Sequence, residues 1–360
     1  MDHPPERPPA TASSLSSTSA PVTPALTARA LWFDAPGQAV LRQEPLTFDT
    51  SAVPSGETTC AGERVLVRAL FSGISRGTEA TVFHGLVPES EHERMRGPNM
   101  GGAFPFPVKY GYAMVGQVEA GPQALLGRPV FVLHPHQDLF VVPAEAVVPL
   151  PPDLAPERAV LAANMETALN IVWDALIQPG DRVAVFGAGV VGALTARLAA
   201  SIAGTEVLLI DRDLGRASLA AGLGLDFALA DHVEGEFDVV VNASGSGAAL
   251  SQAIDLAGPE ARLVEASWYG ARTVSLPLGG AFHSRRLAIV SSQVGSIPAH
   301  RRARWSFRRR LGKALQLLAD PRLDALISGE SRFADLPEDY ARIVESTATL
   351  CHRITYQSDV

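Results

Sequence analysis

The chain has almost no cysteine. Its two, Cys60 and Cys351, cannot build a disulfide framework or a four-cysteine zinc site, and they fit a reducing, cytoplasmic setting. Lysine is as scarce: of 30 basic residues only Lys109 and Lys313 are lysines. That bias reads as coding composition and carries no function. No apolar run reaches the roughly eighteen residues that a membrane-crossing helix needs. Acidic residues outnumber basic ones, for a formal charge of −8, so neither nucleic acid nor membrane is the expected partner.

What is present is a core-forming composition, 47% hydrophobic over 360 residues, long enough for two domains. Residues 1–27 are rich in Pro, Ser, Thr and Ala. They carry too little apolar surface to offset their ordering entropy and read as a disordered tail without the apolar stretch of a secretory signal. From Ala28 to about Leu150, short β-prone runs alternate with Gly and Pro, the pattern of an irregular barrel or sandwich. Past Pro151-Pro152-Asp153 the rhythm changes. Helix-like Pro156–Trp173 leads into alternating strands and helices, which means a parallel sheet with helices on both faces. A basic segment, Arg301 to Lys313, precedes a helix near Leu311–Leu318, another over Pro337–Ser346, and a final β-prone piece, His352–Tyr356.

The sharpest motif is Gly187-Ala188-Gly189-Val190-Val191-Gly192. It follows an apolar strand, Arg182–Phe186, and opens a helix. The first glycine makes the tight turn, the second admits a pyrophosphate to the backbone, and the third lets helix and strand pack closely, with the helix N-terminus facing the anion. Asp211 ends the next strand, 24 residues after Gly187. A carboxylate there binds an adenosine ribose hydroxyl and repels a 2′-phosphate, so NAD(H) is favoured. Arg212 and Arg216 keep NADP(H) open.

Together with Phe71-Ser72-Gly73-Ile74-Ser75-Arg76-Gly77-Thr78-Glu79, Tyr110 to Gly116, Asp238 to Gly245 and Ala261 to Gly270, this motif makes the chain resemble the medium-chain dehydrogenase/reductase superfamily. The resemblance implies an α/β fold: a GroES-like irregular β domain over 28–153, a Rossmann doubly wound parallel-sheet domain over 154–297, and a return to the substrate domain over 298–360. It also implies a small-molecule substrate and a homo-oligomer, dimer or tetramer. Zinc members carry Cys where this chain has Ser75, and Gly-His-Glu where it reads Gly111-Tyr112-Ala113. A catalytic zinc needs three N, S or carboxylate ligands, so no metal is expected. The nearest named group is the bacteriochlorophyllide hydroxyethyl dehydrogenase-like proteins, which share the Gly-Ile-Ser-x-Gly-Thr-Glu run.

Without a metal, another group must handle the proton of an alcohol/carbonyl pair. Tyr112 is one candidate; its alternative is a ring filling the vacated metal pocket. His134, in His134-Pro135-His136, is a second, against a partly exposed loop histidine. Glu166 is a third, against a carboxylate paired with an arginine near the domain junction. Ser75 and Thr78 offer hydroxyls to a substrate, and by the resemblance Arg76 meets the cofactor pyrophosphate. The arginine run leaves an anionic substrate open. The sequence therefore reads as a zinc-independent NAD(H) oxidoreductase. An enone or quinone reductase of the same fold and a non-catalytic dinucleotide-binding regulatory protein stand as alternatives.

Overall fold

A computed structural model describes residues 26–48 and 63–356. The expected N-terminal tail lies outside them apart from Leu26 and Thr27, which already belong to a strand, Leu26–Ala35.

Two architectures follow one another along the chain. The first is antiparallel but for one parallel pair at its edge. Arg64–Ser75 is its spine and pairs with Met114–Ala120, Leu139–Pro143 and Cys351–Thr355. Pro129–Val132 and Val148–Pro149 extend one side, and Ile327–Arg332 joins Cys351–Thr355 on the other. A smaller sheet pairs Leu26–Ala35 with Gln38–Leu46 and Val108–Lys109. The second architecture is a six-stranded parallel sheet. Its central strand, Arg182–Phe186, is flanked by Glu206–Asp211 and Phe237–Asn242. Asp226–Leu229 lies beyond one neighbour; Ala257–Glu265 and Ala288–Ser291 lie beyond the other. All of its pairings are parallel. Val183–Phe186 and Val239–Asn242 are buried, as strands covered on both faces must be.

The expected mixed α/β class is therefore the observed one, and Arg182–Phe186 falls on the expected residues. Other elements differ. The stretch Pro156–Trp173 becomes a short 3-10 turn and then a helix, Ala162–Ala175. The helix expected near Leu311 begins earlier, at Phe307, because the Ser306 side chain caps it by accepting from the Arg309 N–H.

Helix Ala162–Ala175 links the two architectures. One continuous apolar cluster runs from Val115 and Phe131 of the antiparallel sheet through Leu161, Met165 and Ile171 to Val185 and Leu209 of the parallel sheet. Helix Phe307–Leu317 packs on the same helix through Leu311, Ala314 and Leu315 before the chain returns to Ile327–Arg332. Burial on both sides fixes the two sheets against each other and leaves the strand ends facing the antiparallel sheet.

Candidate dinucleotide crevice and hydroxyl cluster

The parallel sheet reverses its strand order at Arg182–Phe186. Open sheets of this kind bind ligands at that switch point, outside the carboxyl ends of the strands. The glycine motif sits there. Gly187 holds φ at +100°, and a Cβ on it would come within 2.8 Å of the Ser244 backbone. A Cβ on Gly192 would sit 1.9 Å from the Gly187 carbonyl oxygen, so strand and helix can close only if that position is glycine. Gly189 is different. It caps helix Val190–Ala199 in an extended conformation (φ −78°, ψ −178°), and a Cβ on it would meet nothing within 4 Å. Space is left at the helix N-terminus, where an anion is stabilised by free N–H groups and the helix dipole.

Asp211 closes the turn. Its Oδ2 accepts from the Ala188 N–H at 2.7 Å and its Oδ1 from the Asp213 N–H at 2.9 Å. Arg212 beside it is exposed. Arg216 donates to the Thr347 carbonyl. From the other domain, Arg76 opens helix Arg76–Phe83. Burial pushes its guanidinium downward, and the charge of Arg216 adds to that. No carboxylate lies within ion-pair distance of Arg76 among the described residues.

The antiparallel domain brings hydroxyls to the mouth of this crevice. Ser75 ends the spine strand, and its Oγ accepts from Asn164 Nδ2 at 3.1 Å. The half-buried Tyr112 places its hydroxyl within reach of the Ser75 and Thr78 hydroxyls. Burial first, and then the negative charge of Glu79, push the Tyr112 phenol far above its ordinary range, so it stays protonated as a hydrogen-bond donor. Trp268 packs with Tyr112 on the same apolar cluster. Next to it, a Cβ on Gly270 would come within 3.0 Å of the Leu86 carbonyl. The segment after strand Ala257–Glu265 therefore crosses to the antiparallel domain and walls the cleft.

Among the described residues no three His, Cys, Asp or Glu side chains cluster as metal ligands. Serine, threonine and tyrosine hydroxyls with an amide are not the nitrogen, sulfur or carboxylate donors that zinc selects. The donor set does not fit the metal of the zinc dehydrogenases.

Ser75 and Thr78 interact with Tyr112, and Arg76 follows Ser75 directly; His134 and Glu166 take other partners. His134 is buried and stacks on Phe140 with centroids 3.9 Å apart. Its Nδ1 donates to the Pro135 carbonyl at 2.9 Å, and burial pushes the imidazole down to about 3. It is neutral at physiological pH. Glu166 follows Asn164 by two residues, which turns it to the other side of the helix. Its Oε1 accepts from Arg310 Nε at 3.0 Å. Arg310 also bonds Asn170 Oδ1 and the Val294 carbonyl. The pair clamps helix Phe307–Leu317 to helix Ala162–Ala175.

Sequence reasoning singled out neither Glu79 nor the Asn242–Glu265 pair, and it weighed His136 only beside His134 in the His-Pro-His triplet. Glu79 and His136 form a buried pair behind the hydroxyl cluster. At the strand ends, Asn242 Nδ2 donates to Glu265 Oε2 at 2.7 Å, and the Tyr269 hydroxyl donates to the same oxygen at 3.1 Å. The Gly-Thr-Glu and His-Pro-His triplets were the available signal for the first pair; nothing local marked the second.

No protein-family model matches the chain. D-xylulose reductase A of Aspergillus niger is 30% identical over 152 residues, 39% of this chain and 42% of the relative. D-guloside 3-dehydrogenase of Escherichia coli is 27% identical over 203 residues, 52% of this chain and 58% of the relative. The chain thus matches about half the length of these relatives. L-idonate 5-dehydrogenase of Escherichia coli superposes with a TM-score of 0.73 at 14% identity, covering 92% of this chain and 99% of that one. A short chain alcohol dehydrogenase of Escherichia coli, solved with NADH, gives 0.71 at 16% identity over 92% and 99%. A 2R,3R-butanediol dehydrogenase of Bacillus subtilis gives 0.70 at 16% identity over 92% and 100%. Crevice, two-sheet architecture and these likenesses agree that the chain has the fold of the medium-chain dehydrogenase/reductase superfamily, which its sequence resembles.

Proposed function

We propose that the chain is a nicotinamide-dependent oxidoreductase acting on an alcohol/carbonyl pair, with NAD(H) favoured and no catalytic metal. One observation carries the reading. The parallel sheet leaves open space at Gly189, and the antiparallel domain offers the cation Arg76 next to Ser75, on the segment whose Ser75 and Thr78 hydroxyls interact with Tyr112. A bound nicotinamide supplies or accepts the hydride. Gly189 and the N-terminus of helix Val190–Ala199 hold the pyrophosphate, and Arg76 neutralises it from across the crevice. Asp211 receives the adenosine ribose and disfavours a 2′-phosphate.

Tyr112 holds the proton at the substrate oxygen. A phenol kept neutral donates a hydrogen bond to a carbonyl or carbinol oxygen as charge develops there, and Ser75 and Thr78 align that oxygen. His134, neutral and stacked, takes no part, and Glu166 holds the helix that presents Asn164 to Ser75. Relatives named for a xylulose and a guloside support a polyhydroxylated substrate, which the hydroxyls of Ser75, Thr78 and Tyr112 suit.

The test is a panel of ketoses and diols, D-xylulose among them, assayed by NADH absorbance with wild type and Tyr112→Phe. The reading expects turnover in the wild type and a loss of about 10²- to 10⁴-fold in the variant, with NADH binding retained. Full activity of Tyr112→Phe would remove the assignment. Reduction of a C=C bond without alcohol oxidation would move the chain to the enone reductases.

A further inference from the structure

Behind the hydroxyl cluster lies a chain of polar groups sealed from solvent. Glu79, His136, Ser72 and Tyr340 are each 0% exposed. The Glu79 carboxylate accepts three hydrogen bonds: from the Ser75 N–H at 2.8 Å, the Tyr340 hydroxyl at 2.5 Å and His136 Nε2 at 2.9 Å. The other ring nitrogen of His136 meets Ser72 Oγ at 2.8 Å, and Ser72 Oγ meets the Tyr356 hydroxyl at 2.8 Å. Among the described residues His136 is the one cation-forming group within ion-pair distance of Glu79.

We infer that the Glu79–His136 pair is the positioning element for the proposed active site, holding Ser75 and Tyr112 at one geometry although one ends a strand and the other lies just before a different one. The inference rests on the alcohol/carbonyl reading of the cleft. Two contacts make the pair a bridge. On one side Glu79 Oε1 fixes the backbone N–H of Ser75, where the spine strand turns into helix Arg76–Phe83. On the other side His136 packs against the turn that carries Tyr112. A Cβ on Gly111 would come within 2.8 Å of His136 Cδ2, and the His136 N–H donates to the Tyr110 carbonyl at 3.3 Å. The only residue that fits between the ring and Tyr112 is glycine, and it stands at φ +115°.

Stability alone does not require such a pair. Sealed ionisable groups are costly to desolvate, and apolar replacements of the same volume commonly hold a core as well or better. The surroundings are already apolar, with Leu31, Phe33 and Phe83 in the same cluster. The pair does what an apolar filling cannot: it pins a backbone N–H and orients a turn by directed hydrogen bonds. Tyr110, Tyr112 and Cys351 also feel the Glu79 charge, so the pair sets the field in which the cluster works.

The experiment compares full-length Glu79→Gln, Tyr340→Phe and Tyr112→Phe with wild type, using a panel substrate, NADH titration, and hydrogen exchange at the Ser75 amide. Glu79→Gln is expected to keep one NADH site per chain and change KM little. Its kcat should fall about tenfold to a hundredfold, the cost of a displaced reacting geometry. A substrate deuterium isotope effect on kcat should rise, and the Ser75 amide should exchange faster. Unfolding would instead lower the number of NADH sites and leave the isotope effect unchanged. Should Glu79→Gln fail to fold, Tyr340→Phe decides, since it removes one bond to Glu79 and keeps the ring. A several-fold lower kcat with unchanged NADH binding supports the inference, and wild-type kcat overturns it. Wild-type kcat, isotope effect and amide exchange in a folded Glu79→Gln overturn it as well. If Tyr112→Phe is impaired in that case, the alcohol/carbonyl reading survives and only the positioning role falls. If Tyr112→Phe is fully active, the reading itself falls, and the inference with it.

Discussion

Alanine at Gly189 should separate folding from cofactor binding. The backbone there is extended, at φ −78°, a conformation alanine adopts freely. The added methyl meets no protein atom within 4 Å. Glycine to alanine gains about 0.4–1 kcal/mol through the unfolded chain and loses a similar amount because alanine is a poorer helix N-cap than glycine. The thermal midpoint should therefore stay within roughly a few degrees of wild type in a chain of this length. The same methyl occupies the space that a pyrophosphate must enter. Forcing a methyl into a filled contact costs about 1–3 kcal/mol, so NADH should bind about 5- to 150-fold more weakly. Gly192→Ala supplies the contrast. Its Cβ would stand 1.9 Å from the Gly187 carbonyl oxygen, a backbone atom that cannot rotate away. Both stability and binding should drop. The assay pairs thermal or urea denaturation with NADH titration followed by energy transfer from tryptophan. Wild-type NADH affinity in Gly189→Ala would refute the placement of the phosphates, and an unperturbed Gly192→Ala would refute the close packing.

Other outcomes follow from the buried groups. Arg310→Ala leaves Glu166 charged and unpaired in the interior and should destabilise by about 3–5 kcal/mol in urea unfolding, whereas Arg310→Met with Glu166→Leu should recover most of that. His134 has its folded value pushed down to about 3 against 6.5 unfolded. Its contribution is complete above pH 6.5 and is lost as pH falls toward 3. Between pH 6.5 and 5 that amounts to about 2 kcal/mol, and His134→Phe should flatten that part of the stability profile. Asp211→Asn should narrow the preference for NADH over NADPH in paired titrations, since it removes the charge that repels a 2′-phosphate.

The crevice was legible because its rules are local. A strand, a six-residue glycine pattern, a helix and an acid at the end of the next strand all fall within one short stretch of chain, and each has a steric reason. The strands seen least clearly were Gln38–Leu46, Asp226–Leu229 and Ala288–Ser291. These are sheet edges, where one side is exposed and the apolar pattern thins. Helix Arg76–Phe83 escaped notice because it contains Gly77 and β-prone Thr and Val. The expectation that no zinc sits at Ser75, Tyr112 and Ala113 came from the family resemblance, which marks these positions as those where zinc members carry donors. The roles of Glu166 and His134 were not legible. Glu166 takes its meaning from Arg310, 144 positions away, and His134 from burial against Phe140. His134 and His136 look alike in sequence, yet one stacks on a ring and the other bonds a carboxylate 57 positions away. Periodicity reports which face is buried; it does not report which polar partners meet there.

The most direct measurement of the central claim is an equilibrium titration of chelator-treated protein with NADH and with NADPH. The crevice at Gly187–Gly192 with Asp211 beside it predicts saturable NADH binding at one site per chain, weaker NADPH binding, and no change when zinc is restored. Binding of neither nucleotide, or binding of NADH only after zinc is added, would contradict it.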